Sequence, residues 1–332
     1  MRPFEYSTPA NAVTAVKTVA ERPTAAFLGG GTNLVDHLKL GITHPDLLVD
    51  VTGVTSADIT DSQMGLLIGA AARNSDIAAD YRVRTRYPML AEALLSGASG
   101  QLRNMATAAG NALQRTRCAY FQDPTTPCNK RRPGSGCAAI GGFTRGHAIL
   151  GASDHCVATH PSDMAVALTA LDATVHVLNP QGERTIPFAD LHRLPGDDPT
   201  RDTVLEQGDL ITLIELPYSP VAQRSGYYKV RDRASFAFAL VSVAAALTVT
   251  DGIISDARLA FGGVAHKPWR AHHAEQVLIG EPATNATYHL AAEQELTHAR
   301  ALDGLDGGNA FKIPLLIRTV VSILRRLAEE SQ

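Results

Sequence analysis

Thr24-Ala25-Ala26-Phe27-Leu28-Gly29-Gly30-Gly31-Thr32-Asn33-Leu34 is a small-residue apolar run that ends in three glycines and then opens a helix over 32–40. Leu47-Leu48-Val49-Asp50 follows as a second strand, so the stretch reads as a βαβ-like unit with its glycines at the strand-to-helix turn. Backbone N–H groups at such a turn can face a phosphate. A tight turn also uses glycine without binding anything. The run is neither the dinucleotide fingerprint G-x-G-x-x-G nor a Walker loop, so a Rossmann NAD site and a P-loop ATP site both lose support.

Upstream, Phe4-Glu5-Tyr6 reads as a short strand, and Thr8 before Pro9 as the cap of a helix whose face is Ala12, Val13, Val16 and Val19. Downstream, the pattern predicts a strand over 66–70, helices from Asn74 and from Pro88, and a helix over 162–171. Strands are expected near 174–178 and 210–216. A boundary is expected near 217–225. Beyond it the sequence predicts antiparallel strands over 226–231, 239–249 and 253–262, then helices over about 283–302 and 314–329.

Residues 113–160 show no sustained period, yet they hold all four cysteines, Cys118, Cys128, Cys137 and Cys156. Their spacing, C-x9-C-x8-C-x18-C, lacks the C-x2-C knuckle of most structural zinc sites and the C-x2-C-x2-C run of small ferredoxins. Four thiols in a chain of 332 residues do not make a disulfide framework. Irregular spacing in a loop rich in glycine and arginine suits four thiolates around a 4Fe-4S cluster, with buried free cysteines and a zinc site as the alternatives. His147, His155 and His160 flank the last cysteine, as neighbours of a ligand or as surface groups. Lys229, Arg231 and Arg233, taken alone, read as a solvated strand edge, and Asp163 as a first-turn acid favoured by the helix dipole.

The net charge of −3, with both signs interspersed, carries no footprint of a nucleic-acid binder. Membrane insertion is not expected, because the run 237–249 is interrupted by Ser242 and falls short of about 18 apolar residues. The first residues lack an export-type apolar segment, which suggests the cytoplasm; co-export on a partner with a twin-arginine signal would place the chain in the periplasm.

At these residues the chain resembles the FAD-binding subunits of the molybdenum hydroxylases, the group of xanthine and carbon monoxide dehydrogenases. Leu28-Gly29-Gly30-Gly31-Thr32-Asn33-Leu34 is similar to the first FAD loop of that family. The segment 103–111, R-N-M-A-T-A-A-G-N, is similar to its R-N-x-A-T-x-G-G-N, with Ala109 in place of a glycine. His160-Pro161-Ser162-Asp163 resembles its S-P-A-A-D helix start, with His160 in place of a serine, and Tyr228-Lys229 through Ser235-Phe236 resembles the start of its C-terminal domain.

The resemblance implies an α+β fold: a two-part FAD-binding domain of the p-cresol methylhydroxylase and vanillyl-alcohol oxidase type over 1–220, split near 55–60, and a C-terminal α+β domain over 221–332. It implies that Gly29 to Asn33 hold the FAD pyrophosphate, that Thr107, Gly110 and Asn111 form a second phosphate and ribose shelf, that Gln114 is a further cofactor-binding residue, that Asp163 binds on the ribose side, and that Lys229 lies near the isoalloxazine. The cysteine-bearing insertion departs from most members and resembles the flavin and 4Fe-4S subunit of bacterial molybdenum-dependent aldehyde oxidoreductases. The function so implied is electron relay. A molybdenum-cofactor subunit would oxidise an aldehyde, a 2Fe-2S subunit would pass the electrons on, and FAD would hand them to an external electron acceptor. A self-contained flavin oxidoreductase and a flavoprotein scaffold with structural zinc are the alternatives.

Overall fold

The computed structural model describes residues 1–330. Among them twelve strands form three sheets: β1 (Glu5–Ser7), β2 (Ala25–Leu28), β3 (Leu47–Asp50), β4 (Ile59–Asp61), β5 (Gly65–Gly69), β6 (Thr174–Asn179), β7 (Gly182–Pro187), β8 (Leu210–Pro217), β9 (Ser225–Val230), β10 (Val241–Thr250), β11 (Ile253–Gly262) and β12 (Trp269–Arg270).

The first sheet has the order β1-β3-β2, and both pairings are parallel. Helices Ala12–Glu21 and Leu34–Leu40 supply the crossovers that parallel neighbours need, so the expected βαβ unit is present with the glycines at its turn. The first helix starts later than Thr8 and Pro9 suggest. Asn11 is its cap, because its side-chain oxygen accepts from the Thr14 N–H at 2.8 Å and satisfies one of the free first-turn donors. Ala15, Val16 and Val19 from this helix pack with Leu47 and Val49, and the cluster reaches Leu210 of β8.

The second sheet, β4-β5-β8-β6-β7, is antiparallel throughout. Helices Pro88–Ser96 and Asp163–Ala170 lie between it and the third sheet, in the largest core cluster, which takes residues from both sheets. All eight residues of the second helix are buried, and its Ser162 cap accepts from the Ala165 N–H at 3.0 Å.

The third sheet, β12-β11-β10-β9, is antiparallel and carries helices His272–Leu278, Asn285–Glu295 and Lys312–Glu329 in a core of its own. The first of these was not anticipated. The second is shorter than the expected 283–302, because the chain after it turns to pair with the cysteine loop. Arg300 N–H donates to Ile149 O at 2.8 Å and Leu305 N–H to Gly142 O at 2.8 Å. The cysteine loop is irregular as expected, with one helical turn, Ala119–Gln122, and a bridge between Cys128 and Cys137.

Candidate functional site

The three glycines pack their backbone directly on the segment 105–107. A Cβ added at Gly30 would lie 1.9 Å from Met105 O, and one at Gly29 would lie 2.9 Å from Thr107 Oγ1. Gly31 adopts φ +72°, a left-handed conformation that favours glycine. The two loops therefore meet because neither glycine at the contact has a side chain. Thr107 caps the short helix Ala108–Ala112 by accepting from the Gly110 N–H at 3.2 Å. Asn111 Oδ1 accepts from Gln114 Nε2 at 2.6 Å and from Ser162 Oγ at 2.7 Å, which leaves its amide N–H groups as the donors for a neighbouring ligand.

Two cavities, of about 250 and 470 Å³, share Thr32, Asn33 and Gly110 as lining. The first runs from the glycine loop to Val51 and Ile211; the second runs past Asn111, Gln114 and Arg117 to Asp163, Lys229 and Phe238. The sequence-predicted residues Gly29 to Leu34, Thr107, Gly110, Asn111, Gln114, Asp163 and Lys229 all line one or both. Leu28 stands at the end of β2 immediately before the glycines.

Lys229 is not on a solvated edge. Its side chain is 3% exposed, and its ammonium donates to Asp163 Oδ2 at 2.7 Å and to Ser96 O at 3.1 Å. Tyr227 OH donates to Asp163 Oδ1 at 2.6 Å; burial and that carboxylate push the phenol well above its ordinary value. Asp163 and Lys229 thus neutralise each other, whereas the Arg103 and Arg117 guanidinium groups in the same cavity donate to Gly97 O and Arg115 O, and the one other carboxylate in its lining, Asp36, acts on Arg117 through space. Burial lowers the pKa of Arg117, which also lies over the Phe238 ring, 5.3 Å from its centroid. A trough with glycine N–H groups and two such cations fits a phosphate-bearing dianion with an aromatic end, and FAD is such a molecule.

Asn74, Arg103 and Phe238 line this cavity without being anticipated as site residues, and Arg117, which the sequence suggests as a counter-charge to the cluster, lines it too. Asn74 Oδ1 is buried without a partner, a polar atom that a ligand could satisfy. Asn74 was legible only as the start of a helix, and nothing in its sequence neighbourhood marks it as part of the 103–111 site.

All four cysteines line a single small cavity with Phe121, Lys130 and His155. They are free thiols, and burial pushes Cys118 up to about 11. Burial also raises Cys156, an effect that Lys130 opposes. His147 Nε2 lies 3.2 Å from Cys118 Sγ, while His160 belongs elsewhere and meets the His192 ring edge-on with centroids 4.4 Å apart. Among the described residues, no group of three or more His, Cys, Asp or Glu side chains is placed to hold a metal ion. The donor set is nevertheless four soft thiols with no carboxylate among them, the ligand type of an iron–sulfur cluster. Among the described residues, no helix is long and apolar enough to cross a membrane.

Residues 2–219 match the FAD binding domain in molybdopterin dehydrogenase, and residues 226–327 match the CO dehydrogenase flavoprotein C-terminal domain. The chain is 50% identical to the aldehyde oxidoreductase FAD-binding subunit PaoB of Escherichia coli over 331 residues, 98% of each chain. It is 29% identical to the glyceraldehyde dehydrogenase medium chain of Sulfolobus acidocaldarius, over 84% of this chain and 82% of that one. A Cu,Mo-CO dehydrogenase structure superposes with a TM-score of 0.77 at 21% identity, covering 99% of both chains, and shares the fold. With both domains matched in order, the chain belongs to the family of FAD-binding subunits of the molybdenum hydroxylases.

Proposed function

We propose that this chain is the flavin and iron–sulfur subunit of a molybdenum-dependent aldehyde oxidoreductase, and that it relays electrons from partner subunits to an external acceptor. The observation that carries the reading is the pair of adjoining cavities running from the glycine loop to Lys229, the second lined by the Arg103 and Arg117 guanidinium groups, in a chain 50% identical to PaoB. When bound, FAD would supply the exchange between one- and two-electron steps. The chain's part is to hold and tune it. Gly29 to Asn33 would present N–H groups to the pyrophosphate, and Thr107, Gly110, Asn111 and Gln114 would form the facing shelf. The Lys229–Asp163 pair would stand beside the isoalloxazine as a fixed dipole. We place the boundary between the flavin domain and the C-terminal domain near residue 220, between β8 and β9.

The cluster assignment rests on Cys118, Cys128, Cys137 and Cys156 lining one cavity. Because buried thiols are protonated at neutral pH, loading iron there would release protons. A molybdenum-cofactor subunit and a 2Fe-2S subunit are the partners this role requires.

The test is an anaerobic absorbance spectrum of the purified chain, with flavin, iron, sulfide and zinc assayed on the same sample. Flavin bands over a broad iron–sulfur absorption, with about four irons per FAD, are expected. Flavin with zinc or without metal would remove the cluster and leave the flavin reading intact. The Cys128→Ala variant should lose its iron, and a full four-iron content in that variant would remove Cys128 from the ligand set.

A further inference from the structure

Asp202 lies in neither the flavin trough nor the thiol cavity, yet it touches the walls of both. Its Oδ2 accepts from Arg115 Nε at 2.5 Å, and its Oδ1 accepts from Lys130 Nζ at 2.5 Å. Arg115 reaches the flavin loop through its backbone, whose N–H donates to Asn33 Oδ1 at 2.8 Å. Lys130 lines the thiol cavity; its side chain is 1% exposed, and its ammonium is anchored further by Pro199 O at 2.8 Å.

Both cations depend on one carboxylate. Burial pushes that carboxyl up, but Arg115 and Lys130 beside it outweigh burial and hold it well below the usual carboxylate range. A second line of contacts runs in parallel. The Arg115 guanidinium lies 4.8 Å from the centroid of the Phe121 ring, which also lines the thiol cavity, and Phe121 meets the His37 ring edge-on at 5.7 Å. His37 Nε2 in turn lies 3.2 Å from Asn33 Nδ2.

We infer that Asp202 is a positioning residue that couples the two cofactor sites: it fixes Arg115 against the FAD loop and Lys130 against the thiols, so that filling either site favours filling the other. The inference rests on the flavin and cluster reading above. Thiolates bound to a cluster would hold Lys130 in place. Lys130 would then hold Asp202, and Asp202 would hold Arg115 and the Asn33 carboxamide in the geometry that closes the glycine loop. Coupling of this kind is reciprocal, and each ligand raises the affinity of the other by the same factor.

The experiment titrates FAD into the full chain in two forms, reconstituted anaerobically with iron and sulfide or stripped of iron by a chelator, and follows quenching of flavin fluorescence. The loaded form should bind FAD about tenfold more tightly than the stripped form, within the ordinary range of coupling between sites. Asp202→Asn should reduce that ratio to near one, and Asp202→Glu, which keeps the charge, should preserve most of it; a purely structural role would weaken FAD binding equally in both forms. If Asp202→Asn does not fold, Arg115→Gln makes the same test from the flavin side and leaves the Lys130–Asp202 pair intact. An unchanged ratio in these variants, or a ratio of one in the unaltered chain, would overturn the inference while leaving the cluster reading standing. Failure of the unaltered chain to take up iron would overturn both.

Discussion

Lys229 reads from its sequence neighbours as an exposed strand residue and, through the family resemblance, as a neighbour of the isoalloxazine. Its contact with Asp163 supplies a reason for its place in the cavity that neither reading contained. Removing one member of a buried pair leaves the other charge uncompensated, at a cost of about 3–5 kcal/mol, whereas replacing both by neutral groups of similar shape avoids most of that penalty. Lys229→Met should therefore lower the stability of the chain by several kcal/mol in denaturant unfolding, and Lys229→Met with Asp163→Asn should recover most of it. Equal losses in the single and double variants would exclude the charge argument. Gly30 offers a second test. Gly30→Ala should push Met105 away and empty the flavin site, read as the ratio of flavin to protein absorbance. Gly53→Ala, where no atom lies within 4 Å of the added Cβ, should retain its flavin. The glycine run was legible because its residue type reports a backbone constraint. The Lys229–Asp163 pair was not, because its members stand 66 positions apart and only the packing of the third sheet on the helix from Asp163 brings them together.

The elements that hold the site divide by how local their causes are. Strands β3 and β11 appear where their apolar runs predict them, as does the helix beginning at Pro88, since alternation, helical period and proline at the first turn act within a few residues. The cysteine loop obeys no such rule, and it takes its shape from the C-terminal domain. Asp306 accepts from the backbone N–H groups of Thr144 at 3.1 Å and Arg145 at 2.9 Å, while buried Lys312 donates to His147 O at 2.9 Å and Gly263 O at 2.7 Å. The same loop takes the backbone N–H groups of Arg300 and Leu305, which is why the helix expected to reach residue 302 ends early. Lys312→Met would leave Gly263 O without its donor, at about 1–3 kcal/mol for a buried group, and His147 O with Asn309 Nδ2 alone. The expected outcome is faster proteolysis within residues 130–141 and a lower yield of bound iron, with FAD content close to that of the unaltered chain. A protease-resistant loop with unchanged iron would show that Lys312 does not staple it.

At the scale of the whole molecule, the three parts meet at a buried polar junction. His160 comes from the end of the cysteine loop, His192 from the segment after β7, and His266 from the segment between β11 and β12; Asp202 lies 3.9 Å from His266. Burial lowers His192 and His266 to about 4 and holds His160 well below its ordinary value. His192 Nε2 lies 2.8 Å from Ala112 O, and His266 Nδ1 lies 2.9 Å from Arg193 O, so the neutral rings are held as donors to backbone carbonyls. The sign of the pH effect follows. Between the folded values and the unfolded value of about 6.5, the unfolded chain binds more protons, so the stabilisation is complete above pH 6.5 and is lost as pH falls through that window. Each histidine contributes a slope of about 1.4 kcal/mol per pH unit there, and carboxylates, which titrate near pH 4 in the unfolded chain, contribute mainly below the window. The unfolding free energy should therefore fall by several kcal/mol between pH 7 and pH 5. Replacing His192 by Gln, which keeps a donor and cannot take up the proton, should flatten that slope by about one histidine's share. A free energy that stays level from pH 7 to pH 5 would mean that these rings are open to water in solution, and that the three parts do not close on one another at this junction.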